Sequence, residues 1–217
     1  MRGYGQSTAA IQPVSRRHEL LDVMQHLDIK KAILMGCSIG GTTIIDFALD
    51  FPDKVLALIP VSASPSGFEL QGEPPRYLFD MIKALQQGDL EGGSELQTCI
   101  WFDGMNREPQ QVDAELRQQV KVMNLNALQK MGFAIGDSQP VNSLDPPAIT
   151  RLDAIHVPTL IIAGVLDHPE ILRATPLMSQ SIPDATYHIL DDSAHLPNME
   201  QADQFNQLVM DYLKGVI

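Results

Sequence analysis

Short, continuous apolar runs alternate along the chain with segments that carry apolar residues at helical spacing. Three runs are apolar throughout, as expected of strands buried on both faces, and they span residues 32–35, 55–59 and 159–163. A fourth, more mixed run at 185–190 predicts a strand nearer the edge of the sheet. Helical stripes precede the first run and follow the last, and comprise Leu20, Met24 and Leu27, then Phe205, Leu208, Val209, Tyr212 and Leu213. This alternation predicts an α/β fold, a parallel sheet flanked by helices.

The segment from Ser64 to Thr150 interrupts the alternation. It contains no convincing strand pattern, but it carries two further helical stripes, which are Leu78, Met81, Ile82 and Leu85, and Leu116, Val120 and Met123. We therefore predict a helical lid at 64–150, inserted into a core made of residues 1–63 and 151–217.

The charge balance narrows the classes of partner. The 217 residues include 15 Lys and Arg against 27 Asp and Glu, which gives a formal net charge of −12. Such a surface repels phosphate backbones and anionic lipids, so we predict no nucleic-acid partner and no membrane partner. No apolar run approaches the roughly 18 residues of a membrane span, and the N-terminus lacks a signal-peptide pattern. These features predict a soluble, cytoplasmic protein.

The sharpest motif, Gly-Cys-Ser-Ile-Gly-Gly at 36–41, lies directly after the first apolar run. A nucleophile on such a strand-to-helix turn is held in a strained conformation with its hydroxyl exposed, which makes Ser38 the candidate. We expect Gly36 and Gly40 to be required because side chains there would clash in so tight a turn. The Ile39 N–H, at the start of the next helix, is the expected oxyanion donor. A glycine-rich turn without chemistry is the alternative, because the pattern alone is weak.

A serine nucleophile needs a general base, and the base needs an orienting acid. Of the six histidines, His195 lies in a loop between the last strand and the last helix, where parallel sheets place active sites. Asp167 follows the third apolar run in the same way and is the expected acid, while Asp191 and Asp192 are the alternatives. Cys37 precedes the apex of the turn and is expected to pack beneath it rather than act as the nucleophile.

The order Ser38, Asp167, His195 is that of the α/β-hydrolase fold family, which the whole chain resembles. Three segments carry the resemblance, namely 36–41 to the family's G-x-S-x-G-G elbow, 158–167 to its acid strand and 194–200 to its histidine loop. The resemblance implies a serine hydrolase acting on a small carboxylic ester, lactone or thioester. Hydrolysis of a carbon–carbon bond stays open because it uses the same triad, whereas a serine at the elbow argues against dehalogenase and epoxide-hydrolase chemistry.

Within the predicted lid, residues 101–104 with Arg107 resemble the lid of enol-lactonases and related esterases. We expect Trp101, Phe79 and Met105 to line an apolar pocket for the substrate, although ordinary packing within a lid accounts for each residue as well. The implied partner is a small acyl substrate, and neither a cofactor nor a metal is predicted.

The resemblance starts part of the way into the family's fold. Residues 2–7 resemble a D-x-R-G-x-G-x-S segment that follows the family's fourth core strand, and the elements before it would need roughly 50 further residues. We therefore expect an N-terminally truncated version of the fold. The strand at 32–35 would then have an unpaired apolar edge, suited to pairing with a second copy. The family's second oxyanion donor, from a loop after the third strand, would be missing.

A second hypothesis comes from a different class of protein. Loss of one oxyanion donor commonly lowers the rate about a hundredfold to a thousandfold, so the chain could be a catalytically impaired binding or scaffold protein. A metal site at Asp191, Asp192 and His195 is a remote third alternative, because no matched second cluster of ligands accompanies it. Turnover of an ester separates the first two hypotheses, and loss of activity on chelation would favour the third.

Overall fold

The structure, a computed structural model, describes residues 1–137 and 141–216. Its helices and strands, in chain order, are α1 (Arg16–His26), β1 (Ala32–Cys37), α2 (Ile39–Asp50), β2 (Val55–Val61), α3 (Leu78–Gln86), α4 (Leu90–Thr98), α5 (Ala114–Gln129), β3 (Thr159–Gly164), α6 (Pro169–Ser181), β4 (Ala185–Leu190), α7 (Pro197–Glu200) and α8 (Ala202–Val216). All four strand predictions are confirmed. Within the described residues, no helix is both long and apolar enough to cross a bilayer.

The strands form one parallel sheet in the order β1-β2-β3-β4. β3 is buried along its whole length and β2 nearly so, which accounts for their continuous apolar sequences. β4 is an outer strand with Tyr187 and His188 exposed, so the prediction of a strand nearer the edge is confirmed. β1 is the other outer strand of the described sheet, and Met35 is exposed on it. Pairing of this edge with a second copy stays a prediction.

A proline lies inside the second strand of this sheet. The N–H groups of Leu58 and Ser62 donate to the carbonyl oxygens of Pro158 and Ile162. Pro60, halfway between these two donors, has no N–H to offer the neighbouring strand. The hydrogen-bond ladder between β2 and β3 is therefore interrupted at its centre, and side-chain burial holds the two strands together there.

Two hydrophobic clusters cover the two faces of the sheet. Ile161 belongs to the first cluster with residues of α1, α2 and α6, whereas Ile162 belongs to the second with residues of α8. Neighbouring residues of a strand point to opposite faces, so the clusters are on opposite sides. The stripe predicted for the last helix is confirmed, with Phe205 buried. The first stripe is wrong at Leu27, which is 59% exposed because α1 ends one residue earlier.

The chain forms two compact units. The sheet unit comprises Leu20–Gly72 and Leu144–Ile217, and the helical unit comprises Met1–Glu19 and Glu73–Ser143. The first 19 residues, which the sequence assigned to the core, thus belong with the inserted helices. Arg16 attaches them through a polar contact, because its Nε donates to an oxygen of Asp137 at 2.6 Å.

The described part of the insertion is helical, as predicted, and contains no strand. α4 packs against both α3 and α5, and a wider helical turn, Cys99–Asp103, follows α4. Arg117 on α5 holds this turn through two hydrogen bonds of 2.9 Å to the buried carboxylate of Asp103. Met81 and Val120 are buried, as the two stripes predicted. Ile82 and Met123 are exposed, so the assignment of these two residues to buried stripes is wrong.

Candidate active site

Ser38 is the single residue between the end of β1 and the start of α2. Its backbone has φ 54° and ψ −120°, a region that residues with a side chain rarely adopt. Its N–H donates to the carbonyl oxygen of Val61 at 2.9 Å, which ties the turn to β2. The first N–H groups of a helix have no intrahelical partners, so the Ile39 N–H is at the positive end of α2.

The glycines around Ser38 differ in what they contribute. A Cβ on Gly36 would come within 2.4 Å of the backbone of Gly40, so the expectation for Gly36 is confirmed. The expectation for Gly40 is wrong, because a Cβ there would meet nothing within 4 Å. The second close approach is instead at Gly41, where a Cβ would lie 2.4 Å from that of Ala63. The close contact between α2 and the loop after β2 is therefore at Gly41, one residue later than the motif predicted.

Asp167 and His195 are brought together by the structure. The imidazole Nδ1 lies 2.9 and 3.0 Å from the two carboxylate oxygens, and both residues are buried. An ionised carboxylate only accepts, so Nδ1 carries the hydrogen and Nε2 is the ring nitrogen that bears the lone pair. Asp167 Oδ1 also accepts from the backbone N–H of His168 at 2.7 Å, which fixes the direction of the carboxylate. This arrangement can hold an imidazole ready to take a proton.

The histidine loop, residues 191–196 between β4 and α7, passes directly over the end of β3. The Leu166 N–H donates to the carbonyl oxygen of Ser193 at 2.9 Å. The Ala194 N–H donates to a carboxylate oxygen of Glu200 at 2.8 Å. Glu200 was not predicted as a contact of this loop, although it lies within the segment that resembles the family's histidine loop. These two bonds fix the loop to the acid strand and to the following helix.

The alternative acids stand apart from this arrangement. Asp191 and Asp192 are exposed, whereas His195 is buried with its Nδ1 bonded to Asp167. Among residues 1–137 and 141–216, no group of three His, Cys, Asp or Glu side chains is arranged to hold a metal ion.

The first turn of α6, just after Asp167, is anchored to the segment that leads into the insertion. The buried Glu170 accepts from the backbone N–H groups of Gln71 and Gly72, both at 3.1 Å. The hydrogen bond from Arg173 and these backbone donors hold the pKa of Glu170 below its usual value. Sequence reasoning missed this contact because nearly 100 residues separate its partners.

The proposed pocket residues all belong to the helical unit. Phe79 on α3 is 71% exposed, Trp101 lies half-buried in the turn after α4, and Met105 is half-buried just beyond it. Arg107 donates to the carbonyl oxygens of Phe102 and Asp103, which stabilises that turn. Whether Phe79, Trp101 and Met105 bind substrate stays a prediction.

This site lies on the fold of a known class of proteins. Residues 1–202 match the family model of the alpha/beta hydrolase fold, and the chain belongs to that family. The elbow at Ser38 and the bonded pair of Asp167 and His195 occupy the ends of the strands at which the sequence predicted them.

Particular relatives cover nearly all of the chain. The 2-hydroxy-6-oxononadienedioate/2-hydroxy-6-oxononatrienedioate hydrolase of Klebsiella pneumoniae is 26% identical over 216 residues, 97% of this chain and 73% of the relative. An enol-lactonase structure from Burkholderia xenovorans has a TM-score of 0.71 at 20% identity, covering 98% of this chain and 78% of that chain. A thermophilic esterase structure from Thermogutta terrifontis has a TM-score of 0.71 at 21% identity, covering 100% of this chain and 78% of that chain.

Proposed function

We propose that this protein is a serine hydrolase that forms an acyl-enzyme on Ser38. The observation that carries the proposal is the buried bond between His195 Nδ1 and the Asp167 carboxylate, at 2.9 Å. In this tautomer Nδ1 carries the hydrogen, so Nε2 is the ring nitrogen that would accept the serine proton. The strained backbone of Ser38 supports the same proposal, because such a turn exposes the hydroxyl.

In the proposed reaction, the Ser38 oxygen attacks the carbonyl carbon while its proton moves to His195 Nε2. The charge that develops on the carbonyl oxygen is stabilised by the Ile39 N–H at the start of α2. The leaving alcohol then takes the proton from His195, and the C–O bond to it breaks. Water attacks the acyl-enzyme with His195 as base, releases the carboxylic acid and returns the proton to Ser38. Asp167 keeps its charge throughout and stabilises the imidazolium.

The proposed substrates are small carboxylic esters, lactones or thioesters. Membership of the alpha/beta hydrolase fold family and relatives named as hydrolases support this class. Cleavage of a carbon–carbon bond beside a ketone is the second candidate. It is favoured by the name of the Klebsiella pneumoniae relative, which covers 97% of this chain, and it uses the same nucleophile and base.

The experiment that tests the proposal is the intact mass of the 217-residue chain after treatment with a fluorophosphonate. Attack by Ser38 forms a P–O bond, breaks the P–F bond and releases fluoride. We expect one adduct on the wild type and none on Ser38→Ala. Ser179→Ala, which removes a hydroxyl from α6, should react like the wild type. Asp167→Asn should react about 10³- to 10⁴-fold more slowly, because the imidazole loses the tautomer that accepts a proton.

A folded wild-type chain that forms no adduct would contradict the proposal. The alternative function, an impaired binding or scaffold protein of the same fold, would then be favoured. Binding of an acyl ligand that is unchanged by Ser38→Ala, with ester hydrolysis no faster than background, would support that alternative. An adduct that persists in Ser38→Ala would place the reactive group elsewhere.

A further inference from the structure

Cys37 is the last residue of β1 and stands directly before Ser38. Its side chain packs against the hydrophobic cluster that contains Val61 and Ile162, on the face of the sheet that α8 covers. The half-buried Cys37 therefore lies behind the elbow, in contact with core side chains.

From this position the thiol reaches the histidine loop. Cys37 Sγ lies 3.6 Å from the backbone carbonyl oxygen of His195, and the thiol is the donor because a carbonyl only accepts. Burial raises the pKa of Cys37 to about 12, and the charge of Asp167 acts in the same direction. The thiol therefore stays protonated, and able to donate, at every pH at which a histidine base operates.

The contact joins two parts of the site that come from opposite ends of the chain. Bonds from Leu166 and to Glu200 fix the histidine loop to the acid strand and to α7. The bond from Cys37 fixes the same loop to the strand that carries the nucleophile, one residue before Ser38. The approach of the imidazole to the serine hydroxyl is thereby tied to β1.

We propose that Cys37 is a positioning residue that sets the distance between His195 and Ser38, an inference that rests on the proposed function. A thiol is a weak donor, so the contact adds little to folding. Its kinetic effect is larger, because a displacement of about 1 Å between reacting groups can lower a rate about a hundredfold. The role differs from that of the catalytic residues, since the thiol acts through its contact with the backbone of His195.

The test compares the wild type, Cys37→Ala, Cys37→Ser and Val209→Ala. The measurements are the rate of Ser38 modification by a fluorophosphonate, and kcat and KM for p-nitrophenyl acetate. We expect Cys37→Ala to lower the modification rate and kcat about tenfold while KM changes less than about twofold. Cys37→Ser restores a donor on a shorter bond and should recover part of both rates. Val209→Ala truncates a side chain of the same cluster on α8 and should react like the wild type.

Thermal unfolding of each variant shows that it is folded at the temperature at which the rates are compared. Wild-type rates in Cys37→Ala would overturn the positioning role. It would be overturned equally if Cys37→Ser were no faster than Cys37→Ala, or if Val209→Ala were as slow, because the effect would then come from packing. A wild type that is folded and never modified overturns the proposed function itself, which distinguishes the two failures.

Discussion

Gly164 and Ala194 are so close that a Cβ on the glycine would lie 2.2 Å from the carbonyl oxygen of Ala194. The same Cβ would lie 2.3 Å from the carbonyl oxygen of Ser193. Real Cβ atoms are never found at such distances from backbone atoms, so the histidine loop rests on bare backbone at the end of β3. The contact places His195 beside Asp167, which follows Gly164 by three residues.

Substitution of this glycine should therefore affect the position of His195 more than the stability of the fold. In Gly164→Ala the loop must move away from β3, which we expect to cost about 1–3 kcal/mol of stability. A shift of about 1 Å at His195 should lower kcat roughly a hundredfold. Urea unfolding and ester hydrolysis measure the two effects. The control is Gly215→Ala near the end of α8, where a Cβ meets nothing within 4 Å, and which should keep full activity. Equal activity in both variants would contradict the role of the contact.

The backbone of Ser38 should store strain that glycine can release. Its φ of 54° and ψ of −120° are accessible to glycine but costly for any residue with a Cβ. Ser38→Gly and Ser38→Ala should both abolish the proposed acylation, yet the glycine variant should be more stable by about 1 kcal/mol. At Ser179, inside α6, the order should reverse, because glycine in a helix costs about 1 kcal/mol relative to alanine. Urea unfolding of the four variants checks this, and an alanine variant that is the more stable at position 38 would contradict it.

Glu170 should make the stability of the folded protein depend on pH. The hydrogen bond from Arg173 and the N–H groups of Gln71 and Gly72 lower its pKa from 4.5, so the unfolded chain takes up the proton first as the pH falls. The stabilisation is complete well above pH 4.5 and is lost as the pH falls through the lower, folded-state pKa. We expect Glu170→Gln to lower the urea midpoint at pH 7, and this difference to shrink below pH 4.5.

The control for that experiment is Glu69→Gln, which alters an exposed carboxylate of the same segment. Its urea midpoint should follow the wild type at both values of pH. A deficit in Glu170→Gln that stays constant with pH would mean that the carboxylate's charge does not contribute.

Asp137 should be the main anchor of the first residues of the chain. One of its oxygens accepts from Arg16 Nε at 2.6 Å and the other from the Tyr4 hydroxyl at 2.6 Å. Burial and the bond to Asp137 both raise the pKa of Tyr4. Asp137→Asn leaves the buried guanidinium of Arg16 without its closest negative charge. We expect the free energy of unfolding to fall by about 3 kcal/mol. Glu19→Gln removes a more exposed partner of Arg16 and should cost about 1 kcal/mol or less. Equal losses in urea unfolding would contradict this ranking.

The sequence predicted those parts of the site that short segments define. Ser38 directly follows β1 and Asp167 comes three residues after β3, so a local pattern was enough to name both as candidates. The structure adds the bond between His195 Nδ1 and Asp167, and the catalytic roles of the three residues stay predictions. Gly41 and Glu170 escaped prediction because their contacts join segments that are distant along the chain. Gly164 did offer a signal, since a glycine at the end of a buried strand indicates close approach of another backbone.

The pattern of apolar residues did not predict how the chain divides into the sheet unit and the helical unit. That pattern assigned residues 1–63 to the core, because it registers buried apolar surface and not the polar contacts of Arg16. Arg16 donates to the carbonyl oxygens of Arg2 and Gly132 as well as to Asp137, and such bonds leave no periodic signature.

The attachment of residues 1–19 to the inserted helices limits how this protein can be recombined with its relatives. A chimera that exchanges residues 73–143 alone would replace Asp137 and Gly132 but retain Arg16. The buried guanidinium of Arg16 would then face residues of the other protein in place of its own hydrogen-bond acceptors. Two separate stretches of sequence, 1–19 and 73–143, therefore form one unit of exchange. Since the boundary falls inside α1, between Glu19 and Leu20, a crossover there has to preserve a continuous helix.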